Sequence, residues 1–372
     1  MKIVALCLAA ALAAPTAAPG FTIERIASVQ GARELALTPA GDLFAGTSGG
    51  AVYVVAHAED VAGSARVFAS PGDDPAAGVA FAGGSLYVGT QHAIWRIPYR
   101  PGQPAGAPVR LVDVRTGEAP AGSDGDVHTT TSVAAAGSRV FASVGSSCNA
   151  CVETDSTRAT AGEVRGGRYV VLARRIRNAI GLAVDERGNL WATDAGQDEL
   201  PPPHPYEFLD NVSAHNARAD YGWPFCYENG KRKPRTSENC GRVAVPAIIF
   251  PAYETPIGAA FYPTQPHGRY AFPAQYRGGV FVTLHGSWHG PAQGLAGYVP
   301  PRVVFVAMRG DRAAKGPDWN DPSRQWTPFV TGYQRGGSHE RSGRPTGVAV
   351  GPQGSLFVAD DQEGAIYRIR PR

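Results

Sequence analysis

The sequence predicts an all-β fold, a six-bladed β-propeller, on three observations. A strand-turn-strand unit of one type recurs six times along the 372 residues. The 46 glycines and 31 prolines are spread through the chain instead of forming one tract, as a fold with many turns requires. Apolar segments with a helical period and useful length are not found.

The recurring unit is a small or apolar strand of the type "GVAV", a glycine-containing turn, and a strand of the type "LFVAD". Residues 35–55 (LALTPAGDLFAGTSGGAVYVV) and 78–97 (GVAFAGGSLYVGTQHAIWRI) are the first two copies. A degenerate third follows at 131–147 (TSVAAAGSRVFASVGSS), and the fourth is 181–196 (GLAVDERGNLWATDAG). The fifth, 258–286, is broken by an insertion, and the sixth, 347–369, lies close to the C-terminus. Spacings of about forty to ninety residues suit four-stranded blades, whose ring leaves only short, protected edges. A two-sheet sandwich would not need the same strand pair six times over.

The N-terminal residues 1–18 read as a secretory signal, with Lys2, an apolar run at 3–12 and small residues near Ala18. This leaves 19–372 as a single propeller domain, secreted or periplasmic, with no membrane span expected downstream. Cys7 follows the bulky Leu6 and lies too early for lipidation. In an oxidising compartment Cys148 with Cys151, and Cys226 with Cys240, are the expected bridges, although three pairings are formally open. "CNAC" is followed by Val152 and not His, which removes covalent haem attachment, while zinc would need both pairs to converge. The formal charge is +3 without a basic stripe interleaved with aromatics, which argues against nucleic acid.

In a propeller, loops from all blades converge at one end of the central channel. Residues just before the first strand or just after the second strand of each copy are therefore the candidates. Arg177 and Asn178 precede the fourth copy, and an arginine there can grip a carboxylate or stabilise an oxyanion. His128 holds the equivalent place before the third copy, near Asp124 and Asp126, where it could act as a base. After the fourth copy comes "ATDAGQDELPPP", with Asp194, Asp198 and Glu199 around Gly196 and Gln197, a hard-oxygen environment suited to Ca²⁺. The fifth copy ends in "LHGSWHG", supplying His285, Trp288 and His289, and Arg341 and Arg344 precede the sixth. Arginines, histidines, an aromatic platform and a calcium suit a planar polyanionic ligand.

Taken in order, "SVGSSCNAC", "RNAIGLAVDERGNLWATDAGQDEL", "DYGWPFCY", "LHGSW" and "RPTGVAVGPQGSLFVADD" resemble the pyrroloquinoline quinone (PQQ) dependent sugar dehydrogenases. Within that family they resemble the L-sorbosone dehydrogenase-like branch, over nearly the whole chain after the signal. The resemblance implies a propeller binding PQQ and Ca²⁺ at the channel mouth and oxidising a sugar or aldose-type alcohol. His128 then matches the general base, Arg177 the arginine near the reacting quinone oxygen, and Asn178 a cofactor contact. Gly196 and Gln197 match the loop whose carbonyls hold Ca²⁺, and Arg344 an arginine gripping a cofactor carboxylate. His285 stands where better-known relatives use a lysine, and Trp288 joins the cofactor contacts. Two departures stand out: Thr131 replaces the family's arginine three positions after the histidine, and Ala77 replaces a polar residue. Electrons would leave to a separate acceptor, a cytochrome or a quinone. Two other functions compete, a non-catalytic carbohydrate-binding propeller with a decayed cofactor site and a calcium-dependent lactonase.

Overall fold

The structure is a computed structural model that describes residues 14–123, 125–215, 219–335 and 337–372. Asp124 and most of the expected signal lie outside these residues. Six antiparallel sheets form six blades. Blade 1 runs through Ala32–Leu37, Leu43–Thr47, Val52–Val55 and Arg66–Ala69, and blade 2 through Gly78–Ala82, Ser85–Gly89, Ala93–Pro98 and Val109–Asp113. Blade 3 is Thr131–Ala136, Arg139–Val144, Thr160–Arg165 and Arg168–Arg174, with Ala219–Asp220 added in parallel at its edge. Blade 4 is Leu182–Val184, Leu190–Asp194, Glu207–Asn211 and Ile248–Phe250. Blade 5 is Pro256–Phe261, Val280–Leu284, Arg302–Val306 and Trp326–Thr331. Blade 6 joins both chain ends: Pro345–Val350, Leu356–Asp360 and Ala365–Pro371 are completed by Phe21–Ser28.

The innermost strand of each blade packs on that of the next, and the sixth returns to the first. Side chains fill each gap between blades, because a sheet in this ring is covered on both faces. The second strands Leu43–Thr47, Leu190–Asp194, Val280–Leu284 and Leu356–Asp360 are buried at every position. They therefore read as continuous apolar runs instead of alternating ones. Separate clusters occupy the six gaps, as with Phe44, Val79, Leu86 and Tyr99 between blades 1 and 2, or Trp191, Phe250, Val282 and Val304 between blades 4 and 5. Each large side chain buried there contributes about 2 kcal/mol.

Near the axis Glu34, Gly78, Ser132, Gly181, Gly258 and Gly347 hold corresponding places, within or directly before the inner strand of each blade. A Cβ on Gly258 would come within 2.5 Å of the Thr346 carbonyl and 2.6 Å of the Thr283 hydroxyl. Glycine is needed here for close approach of neighbouring blades, not for its freedom of φ. Glu34 is the one acid of this ring, and its carboxylate accepts from the free-edge amides of Val79 (3.3 Å) and Val133 (3.4 Å).

Both near cysteine pairs are bridged, Cys148 to Cys151 and Cys226 to Cys240. At the N-terminus, Thr16–Ala17 pairs with Thr331 and Val330 as an extra edge strand of blade 5. Among the described residues no helix is long and apolar enough to cross a membrane.

Candidate active site

A cavity of about 370 Å³ opens at one end of the axis. It is lined by His128, Arg177, Asn178, Gly196, His285, Trp288 and Arg344, so seven of the eight residues to which the resemblance gives a role meet in one place, together with Asp198 and His289. Gln197 is not in the lining; its amide oxygen accepts from Lys233 Nζ at 2.6 Å. A second, wider cavity of about 800 Å³ continues from the first, sharing Trp288, Arg344 and Asp361 and adding Arg341 and His339. On the far side of Glu34 and Ile257 the axis holds a narrower channel lined by the inner strands.

His128 is partly buried on the loop into blade 3. Its Nδ1 lies 2.9 Å from the Ser146 carbonyl, which can only accept, so Nδ1 carries the proton. Nε2 is left with a free lone pair. Burial, then the guanidinium charges of Arg177 and Arg115, push its pKa down to about 3, and the imidazole stays neutral. His285 is fixed the same way, with Nδ1 on the Pro345 carbonyl at 3.0 Å. Burial and the charges of Arg344 and Arg33 hold it well below the ordinary histidine range. At the place of the expected lysine the protein thus offers a neutral ring, and the positive charge comes from Arg33, which pairs with Asp361 at 2.9 Å.

Arg177 is 5% exposed and almost saturated. Nε and Nη2 donate to the carbonyl and side-chain oxygen of Asn149, Nη1 to the Ala195 carbonyl, and Nη2 also to Asp198 Oδ2 at 3.0 Å. Asn178 donates its amide to Asp194 Oδ1 at 2.6 Å, which anchors the Arg177 turn on the end of the second strand of blade 4. Burial raises Asp194 to about 7. Asp198 spans the cavity rim, since its other oxygen takes Nε2 of His289 at 3.0 Å. Glu199 is exposed and outside the cavity lining, with φ +63°. Trp288 is 70% exposed and covers the Arg344 guanidinium at 4.2 Å, a cation–π contact.

Three acids and one arginine matter here that the sequence did not announce: Glu207, Asp361 and Glu254, and Arg33. Arg33 could have been found, because it stands two residues before the start of copy one at Leu35. Glu207 lines the cavity beside Gly196 and accepts from the Thr255 amide. Burial first, then the neighbouring charges of Glu254, Asp198 and Asp194, raise its pKa well above the carboxylate range. Tyr253 and Thr255, both on the cavity wall, have φ of +66° and +54°. For a β-branched residue such as Thr255 that conformation costs energy of the order of 1–3 kcal/mol and is concentrated at functional sites.

Thr131, where the resemblance calls for arginine, is buried in the first strand of blade 3. Arg115 reaches the same loop from blade 2, donating to the carbonyls of Gln91, Thr129 and Thr130. Asp126 lies outside the cavity lining and is held by Arg158 at 2.9 and 3.2 Å. Ala77 is fully buried between blades 1 and 2 and lies outside the cavity lining.

The chain forms a closed six-bladed propeller with an arginine-lined cavity at one end of its axis. The chain belongs to the TrAA12-like family, whose model matches residues 15–372. Among solved structures it is similar to the PQQ domain of pyranose dehydrogenase from Coprinopsis cinerea, 17% identical with a TM-score of 0.76 over 96% of this chain and 97% of that one. A calcium structure of the Carbohydrate-Active Enzymes Family AA12 protein of Trichoderma reesei is 16% identical, with a TM-score of 0.77 over 97% and 98%. The PQQ-bound aldose sugar dehydrogenase of Streptomyces coelicolor is 17% identical, with a TM-score of 0.61 over 96% and 99%. An uncharacterized protein of Borreliella burgdorferi is 23% identical over 205 residues, 54% of this chain and 48% of the relative, so the match spans about half the length of that relative.

Proposed function

We propose that the protein is a PQQ- and calcium-dependent dehydrogenase that oxidises a sugar or aldose-type substrate of the glucose or sorbosone kind. The observation that carries this is the convergence of Arg33, Arg177 and Arg344 on one cavity beside a neutral histidine. Burial, opposed by Asp361 and reinforced by Arg341 and Arg33, depresses Arg344 to about 10. A planar ligand with several carboxylates relieves that crowding of charge, which is the demand PQQ meets. Glu207 supplies the complementary case: a buried carboxylate with other acids around it gains most from a hard dication beside Gly196. Gly196 and Gln197 would hold Ca²⁺, and Arg177, Asn178, His285, Trp288 and Arg344 would hold PQQ.

Bound PQQ would supply a hydride acceptor that no side chain provides, with Ca²⁺ as the Lewis acid. The remaining work falls to the chain. His128 Nε2 takes the hydroxyl proton of the substrate, Arg177 faces developing negative charge, and Asp198 with His289 borders the open side of the cavity. A separate cytochrome or quinone would collect the electrons. Residues 1–18 would direct export to the periplasm or the medium; cleavage after Ala18 would remove the Thr16–Ala17 edge strand and leave the four main strands of blade 5 intact.

The test is a PQQ titration of purified apo-protein with and without CaCl₂, followed by dye reduction over a panel of aldoses and sorbosone. Absence of PQQ binding at every calcium concentration would overturn the proposal. The lactonase alternative needs side-chain carboxylates from several blades around one metal. Among the described residues the only three-ligand cluster is Cys148, Cys151 and Glu153, two of which are in a disulfide. Lactone hydrolysis without added quinone would nevertheless revive it, and sugar binding without PQQ would favour the non-catalytic propeller.

A further inference from the structure

Two of the hydrogen bonds of Arg177 go to Asn149, and Asn149 sits inside the four-residue ring closed by Cys148 and Cys151. Five polar contacts fan out from that asparagine. Its carbonyl accepts from Arg177 Nε (3.2 Å) and from the Trp223 indole (3.2 Å). Its side-chain oxygen accepts from Arg177 Nη2 (3.0 Å) and from the Asp198 amide (2.9 Å). Its side-chain nitrogen lies 3.4 Å from the Asp198 carbonyl. One residue therefore fixes both the guanidinium that faces the cavity and the carboxylate that spans its rim.

The ring makes this possible. A free loop of such length would spread Asn149 over many backbone conformations, whereas the disulfide confines it to one region. The bridge is also accessible from outside. Cys148 and Cys151 pack on Trp223 and Ala159, and Cys151 and Trp223 line a separate groove of about 580 Å³ on the outer side of blade 3, bordered by Arg168, Arg174 and Phe225. Trp223, on the wall of this groove, donates its indole N–H to the Asn149 carbonyl that also accepts from Arg177.

We propose that Asn149 is the positioning residue of Arg177, and that the Cys148–Cys151 disulfide is a reducible element that controls it. A dithiol entering the outer groove attacks one sulfur; the S–S bond breaks, two electrons and two protons reach Cys148 and Cys151, and the reductant leaves as its own disulfide. The opened loop no longer confines Asn149, and Arg177 and Asp198 lose their common anchor. The inference rests on the proposed cofactor class only for the identity of the anion that Arg177 faces.

The experiment uses the full chain and two readouts. The first is the Arg177 Nε–H resonance in ¹⁵N-labelled protein, assigned by its loss in Arg177→Lys. It needs no cofactor, so it stands even when PQQ fails to bind. Dithiothreitol is expected to broaden or shift it, reoxidation to restore it, and Asn149→Ala to reproduce the reduced state. The second is PQQ affinity, expected to weaken about tenfold on reduction and in Asn149→Ala, with the sugar KM within about twofold and kcat lowered. Cys226→Ala/Cys240→Ala protein should keep the response to dithiothreitol, and Cys148→Ala/Cys151→Ala protein should lose it. Thermal unfolding of every variant checks that the fold persists. An unchanged Arg177 resonance on reduction, or a response that follows Cys226 and Cys240 instead, overturns the proposal.

Discussion

The strongest prediction concerns the proton carried, or not carried, by His128. Its pKa falls from 6.5 to about 3, chiefly through burial and secondarily through Arg177 and Arg115; the Ser146 carbonyl and the Asp126 charge oppose the shift. A histidine lowered in this way destabilises the folded state on acidification. The unfolded chain takes up its proton below pH 6.5, while the folded chain does not until pH approaches 3. Between those values each pH unit costs about 1.4 kcal/mol, so the penalty is near zero at pH 7.5 and about 2 kcal/mol at pH 5. In His128→Gln that contribution is gone. Urea unfolding of both proteins at pH 7.5, 6 and 5 should therefore show the variant gaining about 2 kcal/mol relative to the native sequence across the range. His285, lowered in the same direction, contributes equally to both curves and cancels in the difference. Parallel curves would refute the assignment of a neutral, deeply depressed imidazole. The same cause acts on turnover: kcat/KM should show no acid limb from His128 near pH 6.5, while Arg177→Gln, by removing a positive neighbour, should move that limb upward into view.

Glu34 should behave in the opposite sense. Burial raises it to about 8, so stability falls as pH rises from 4.5 towards 8, and Glu34→Gln should be about 4 kcal/mol more stable at pH 7.5 with no gain at pH 4, measured by denaturant unfolding. Gly258→Ala places a methyl against the Thr346 carbonyl and the Thr283 hydroxyl, and should cost about 2–3 kcal/mol in the same assay. Asp198→Asn removes the carboxylate that competes for Arg177, so PQQ affinity measured by titration should rise a few-fold, and calcium affinity should change only modestly because Asp198 is not the expected ligand.

The ring was legible because its inner strands repeat one physical problem six times. Each must present small residues to its neighbour near the axis, and that need writes glycine into the same place in four of the six copies. The mouth was legible for a related reason: His128, Arg177 and Arg344 each stand within a few residues ahead of an inner strand. Arg33 lies inside its inner strand, Ala32–Leu37, directly before Glu34, and so does not stand ahead of the strand as the others do. Glu207 and Tyr253 could not be read this way. They come from a third strand and from the long segment ahead of blade 5, where no repeat fixes the offset. Arg115 serves the loop beside Thr131 from a different blade, a substitution of charge in space that sequence position does not record. Phe21–Ser28 was equally hidden, since a bulge between Arg25 and Ala27 interrupts its alternation and its partner strand lies at the other end of the chain.

That partnership sets the order of assembly. Phe21–Ser28 waits for Ala365–Pro371, and the ion pair between Arg33 and Asp361 waits for the same event. Contacts so distant along the chain form late and slowly, after most of the loop entropy has been spent. A polypeptide halted anywhere before residue 361 lacks both the closing strand Ala365–Pro371 and the Asp361 partner of Arg33 at the cavity. Completion of the last blade and formation of the Arg33–Asp361 pair at the cavity mouth therefore draw on the same distant segments of the chain.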